Sequence, residues 1–147
     1  MSLVKILGDV NWLLFFHFAG IIIGLGAVNV IDTLGFISRK SKKWTQTTIA
    51  SHHVTKPLIW FGTFMVTLTW LFLFDGSSFS IIKSILLIAL ILNGSFLSFY
   101  ISPRLDKLSG KNKLIPKILQ EEIAISFIIS FTCWWTFVLL TILSLTN

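Results

Sequence analysis

The sequence predicts an all-α integral membrane protein whose four transmembrane helices form an up-and-down bundle. Three observations carry that prediction. Four apolar stretches, at about 10–37, 54–74, 81–101 and 122–145, are each long enough to cross a hydrocarbon core of about 30 Å at about 1.5 Å per residue. Of the 147 residues, 54% are hydrophobic and 12% charged, with a mean hydropathy of +0.87, against about a quarter charged in a soluble domain. The connections are short, which makes sequential helices antiparallel neighbours.

The first stretch follows a mixed lead-in with Lys5 and Asp9 and runs from Val10 to Ile37, with Trp12 at its start, where an amphipathic ring sits at headgroup level. It carries His17, several small residues and Asp32. A basic loop, Ser38-Arg39-Lys40-Ser41-Lys42-Lys43-Trp44, marks its exit from the bilayer. The lead-in and first stretch read as a retained helix rather than a cleaved signal, because the apolar run is too long and lacks a small-residue cleavage site.

The second stretch is centred on residues 57–74, with helix expected to begin earlier, near Thr45, and to be kinked at Pro57. Asp75-Gly76-Ser77-Ser78 is a tight turn. The third stretch is expected to stop at Ser102-Pro103, since a proline disfavours helix in the residue before it. Residues 103–120 form the longest polar connection, with leucines and isoleucines able to lie at the interface. The fourth helix is expected to start near Glu121 or Ile123, its two glutamates suiting a helix N-terminus.

A net charge of +6 and a pI near 9.8 would suggest nucleic acid in a soluble protein; between apolar segments it reads as topology, so no nucleic-acid partner is expected. Arg39, Lys40, Lys42, Lys43, Lys56, Arg104, Lys107, Lys111, Lys113 and Lys117 fall on one side, leaving only Lys5 and Lys83 for the other. The positive-inside rule puts the basic side in the cytoplasm and both termini outside it. The single Cys133 excludes an intrachain disulfide and reads as a buried small hydrophobe.

On the first helix, a step of 100° per residue gathers His17, Gly20, Gly24, Val28, Ile31 and Asp32 on one stripe. Gly20 and Gly24 form a G-x-x-x-G pair, which permits close helix packing or leaves room for a flat cofactor beside His17. On the second, His53, Lys56, Trp60, Thr63, Thr67 and Trp70 share a side expected to face the interior, with Met65 away from it. A hairpin between these helices matches the depth of Asp32 to that of His53, predicting a polar cluster with Lys56. It also sets His17 about 20 Å from His53 by helix rise, too far for both to ligate one haem. Asn93 is expected to hydrogen-bond across helices. No Walker loop, Rossmann glycine pattern, H-E-x-x-H or C-x-x-C is present.

The His17-Phe18-x-Gly20 start, the glycines after it and the second-helix entry H-H-V-T-K-P-L-I-W-F-G resemble small bacterial four-helix membrane proteins of the group that includes HemJ-type protoporphyrinogen oxidases and the copper-resistance D domain. The resemblance covers about residues 10–74. It implies a bacterial plasma membrane, haem b, and roles for a first-helix histidine and a second-helix lysine, for which His17 and Lys56 are the matching positions. It departs from the pattern in its shorter basic loop and in having only Arg39 of the Arg and Tyr residues that usually follow the first helix.

Three functions stay open at this level. One is a small haem-binding or redox-linked protein with His17 as axial ligand, Gly20 and Gly24 as porphyrin wall, and Lys56 or His53 meeting a propionate or quinone-like substrate. A second is a non-enzymatic subunit or assembly partner, in a homodimer or larger membrane complex surrounded by lipid. The third is transport of a proton or small cation through Asp32, His53 and Glu122. Whether the protein is an enzyme is left undecided.

Overall fold

The computed structural model describes residues 11–111 and 113–146. The Lys5 and Asp9 lead-in and the Val10 start of the first span lie outside them. The order of elements is α1 (Trp12–Ser38), α2 (Lys42–Leu73), α3 (Ser78–Phe96), a π-helical turn (Leu97–Ile101), α4 (Ser102–Asp106) and α5 (Lys117–Thr146). No strand occurs among the described residues. Four helical segments, with α3, the π turn and α4 counting as one, are long and apolar enough to cross a membrane. The protein is therefore an all-α, multi-pass membrane bundle. Only 28–33% of each span's most apolar window is buried. Ile22, Leu71, Ile85 and Ile128 are among the large apolar side chains left outside, as a lipid-facing surface requires.

The chain alternates direction from span to span, α1 packing chiefly on α2 and α3 on α5. Between these two pairs lies the main core of Ile21, Val28, Val66, Trp70, Leu87, Leu90, Cys133, Trp134 and Phe137. A second cluster of Ile49, Ile101, Leu105, Ile115 and Leu119 sits at the basic end. The long connection expected at the interface thus folds part of its apolar content onto α2, while Leu114 and Ile118 remain exposed. Gln46 pins the same connection: its amide donates to the carbonyls of Leu108 and Lys111 at 3.1 and 2.7 Å and accepts from the N–H of Gly110 at 3.0 Å.

Three boundaries differ from expectation. Most of the basic loop is already helix: α2 begins at Lys42, capped by Ser41, whose hydroxyl accepts the Trp44 N–H. Its polar first turns hold because threonine hydroxyls bond back along the helix, Thr47 to the Lys43 carbonyl and Thr48 to that of Trp44. Pro57 lies inside α2, as expected of a helix that begins before it. The third span passes through Ser102-Pro103 instead of stopping there. The Ser102 N–H reaches back five residues to the Leu97 carbonyl, and the widened turn places Pro103 in the first turn of α4, where a missing N–H is tolerated. The fourth helix begins at Lys117, directly after Pro116.

Between α2 and α3, Gly76 takes φ +75°, in the left-handed region open to glycine. Ser77 caps α3 by accepting the Ser80 N–H at 3.2 Å. Asp75 accepts from the Ser80 hydroxyl and the Ser77 N–H, and these bonds hold its carboxyl well below the usual carboxylate range.

Candidate functional site

The two ionisable residues of α1 lie in contrasting surroundings. His17 is 1% exposed. Its Nδ1 is 2.7 Å from the Thr69 hydroxyl, which itself donates to the carbonyls of Met65 and Val66 at 2.8 and 3.1 Å. Because that hydroxyl has one proton and uses it on carbonyl oxygens, Nδ1 carries the ring proton and Nε2 keeps a bare lone pair. Nε2 is buried with no partner. Trp70, Phe137 and Phe18 stand around the ring with centroids 5.8–6.3 Å away.

The glycines beside His17 are filled space. A Cβ on Gly20 would meet the Met65 Cβ at 2.8 Å and the Gly62 carbonyl oxygen at 3.0 Å. On Gly24 it would meet the Trp134 ring at 2.7 Å. Gly62 of α2 completes the contact, since a Cβ there would fall 2.5 Å from the Gly24 nitrogen and 2.7 Å from the Gly20 carbonyl oxygen. The expected porphyrin wall is therefore the surface on which α1 and α2 bring their backbones together. Met65, expected off the stripe of His53, Lys56 and Trp60, has its Cβ toward Gly20 of α1. The space expected for a porphyrin face against Gly20 and Gly24 is occupied by α2 and Trp134. Among the described residues no three of His, Cys, Asp or Glu gather into a metal-holding group.

The polar cluster forms, with a different histidine. The buried face of α2 runs through Thr45, Thr48, His52, Thr55, Gly62, Val66 and Thr69. His53 turns outward, its side chain 61% exposed, and pairs with Asp106 at 3.3 Å. His52 is buried and lines a cavity of about 70 Å³ together with Asp32, Lys56, Trp60, Thr48 and Ser98. This cavity lies between the two helix pairs, and the rest of its lining is mostly apolar, including Ile31, Leu97 and Phe127. Asp32 Oδ2 and His52 Nε2 are both buried without a partner.

Lys56 is held by the π turn. Continuing the five-residue bonding that starts at Ser102, the Ser98 carbonyl would take its next N–H from residue 103, which is a proline and has none. That carbonyl accepts the Lys56 ammonium instead, at 3.3 Å, while the Ser98 hydroxyl accepts the Trp60 indole N–H at 2.8 Å. Lys56 has two further N–H donors for whatever enters the cavity. Glu122 stands apart, paired with Arg104 at 3.1 Å.

Asn93 does bond across helices, donating to the Ser126 carbonyl at 3.0 Å and the Ser130 hydroxyl at 2.7 Å and accepting from the Ser126 hydroxyl at 2.8 Å. Sequence reasoning gave Lys83 no role beyond a topology count. It is buried at the end opposite the basic loops, its ammonium 3.1 Å from the Ser144 hydroxyl and 4.4 Å from the centre of the Trp70 ring. His52 was detectable as part of a row of threonines and a glycine spaced three and four apart, the repeat of a helix packed along its length.

No protein-family model, no curated protein and no solved structure matches the chain.

Proposed function

We propose that this membrane protein belongs to the redox-linked class and binds the polar head of a lipid-soluble carbonyl compound, quinone-like in chemistry, in the cavity of Asp32, His52 and Lys56. One observation carries the reading: Asp32 Oδ2 and His52 Nε2 lie buried and unpartnered in a single apolar-walled cavity beside a lysine. Such atoms cost about 1–3 kcal/mol each when unsatisfied, so a site that retains two of them is suited to a ligand or water that satisfies them. An apolar pocket with a few convergent polar groups is the usual form of a small-molecule site.

The chemistry suits a carbonyl and its hydroxyl counterpart. Lys56 donates to a carbonyl oxygen; Asp32 and His52 accept from a hydroxyl. Depth supports an amphipathic ligand, since a rise of about 1.5 Å per residue sets Asp32 about 30 Å along α1 from Trp12, one hydrocarbon thickness. The head would therefore lie near the lipid headgroups and the tail in the acyl region. By the positive-inside reading this is the cytoplasmic end. Haem b at His17 has no comparable support.

The test is titration of the protein in lipid nanodiscs with a short-chain benzoquinone. Saturable quenching of Trp60, read as the difference between wild type and Trp60→Phe, is expected to weaken at least ten-fold in Lys56→Met and in Asp32→Asn. Quenching that never saturates, or that both variants leave unchanged, overturns the proposal.

A further inference from the structure

Asp32 lies where three cavities meet. Besides the 70 Å³ cavity, one of about 20 Å³ runs from Asp32 past Gly35 to Arg39 and Gln120 at the basic end. Another, of about 40 Å³, runs from Asp32 into the bundle past Thr63 and ends at Ser130 and Trp134. A single water needs about 10–15 Å³ and two to four polar partners. The outer cavity meets that need with Asp32, Arg39 and Gln120. The inner one meets it with Asp32, Thr63 and Ser130, whose hydroxyl accepts from Asn93 and so has its own proton free to donate. Beyond Trp134 the packing closes: Val66 and Phe137 are 0% exposed and Trp134 is 1% exposed.

We infer that Asp32 exchanges protons with water at the basic end only, through a half-channel that the Val66, Trp134 and Phe137 layer seals from the opposite surface. The inference concerns access and does not depend on which molecule occupies the site. Water entering past Arg39 and Gln120 reaches the carboxyl, and the chain continues inward as far as Ser130. His17 lies across the seal, its ring among aromatic side chains, so no hydrogen-bonded route joins it to Asp32. The protein by itself then conducts no protons through the bilayer; it delivers or removes them on one side.

Cysteine accessibility tests this directly. In a Cys133→Ala background, Gly35→Cys is a fair reporter, because a Cβ there meets only the Ile123 methyl, at 4.0 Å. A sulfonated methanethiosulfonate that cannot cross the bilayer is added to either side of oriented vesicles. Gly35→Cys is expected to react from the side that labels Ser109→Cys in the basic connection, at least ten-fold faster than from the other side. Val66→Cys is expected to react from neither. Equal labelling of Gly35→Cys from both sides, or rapid labelling of Val66→Cys, overturns the inference.

A second measurement needs only wild type and Asp32→Asn. At a pH where Asp32 is protonated, the C=O stretch of its carboxyl, found by difference, should shift within minutes of transfer to D2O; a protonated-carboxyl band that stays unshifted for hours also overturns it. Failure of quinone quenching alongside one-sided labelling would count against the proposed ligand and leave the half-channel standing, and the converse pair of results would do the reverse.

Discussion

The two halves of α1 belong to opposite kinds of interior. Around His17 the helices are in close contact: two glycines receive a third from α2, Trp134 lies over Gly24, and aromatic rings stand beside the imidazole. Around Asp32, three cavities converge and polar atoms remain unpaired. Both halves carry one ionisable residue, so the presence of such a residue in a span does not by itself mark a working site. The difference lies in what surrounds it. His17 is packed among aromatic rings with Nδ1 bonded to Thr69 and Nε2 unpartnered, whereas Asp32 borders three cavities and bonds to no protein group.

The sharpest way to break this contrast is to enlarge Gly62. In Gly62→Leu the new side chain would be driven into the α1 backbone, and a loss of about 3 kcal/mol or more is expected, seen as failure to elute as folded protein in mild detergent. Gly26→Ala, with nothing within 4 Å of its new methyl and a better helix former in its place, should be neutral or stabilising by up to about 1 kcal/mol. Equal effects at the two glycines would remove the packing account of the dry half. Trp134→Ala should cost about 3 kcal/mol by thermal unfolding in detergent, through loss of a fully buried ring.

A smaller effect is expected at Thr69. Thr69→Val removes the acceptor of the His17 N–H and should cost about 1–3 kcal/mol, because the buried donor is left unsatisfied. Asp32→Asn should leave thermal stability within about 1 kcal/mol of wild type, because the carboxyl gives up no protein partner, while ligand binding falls. A large destabilisation there would mean the wet half is structural.

The smallest effect concerns Asp75, outside the spans. Its folded carboxyl sits below the ordinary 3.8, chiefly through the Ser80 hydroxyl and then the Ser77 N–H. A depressed folded value contributes stability that is complete above the unfolded value and declines as pH falls below it. Melting temperature should therefore decline slightly more steeply between pH 5 and pH 2 in wild type than in Asp75→Asn.

Hydropathy made the spans legible, and the basic loops made their alternation legible, because lipid allows only long apolar helices with charge kept outside. The glycine pair and the cross-helix role of Asn93 were legible for the same reason: small and polar residues inside a span have few other uses. What composition could not fix was rotation. Assigning the interior of α2 by polar residue type selected His53, but the helix is phased by Gly62, Thr63 and Val66 against α1, and one residue's step of 100° puts His52 inside. The extent of α2 was hidden because its threonine-rich start reads as loop until its hydroxyls find carbonyls in the preceding turn.

Pro103 gives the contrast a remote control point. The proline is exposed on the outside of the bundle, yet the hydrogen it lacks is what leaves the Ser98 carbonyl open to Lys56. A Pro103→Ala substitution would return a backbone donor to that carbonyl and set it in competition with the ammonium. The cationic head would then be freed to swing deeper into the cavity or out toward the headgroups. The electrostatic character of the site is thus set partly by a vacancy in the backbone ladder, at a position no inspection of the cavity walls would reveal.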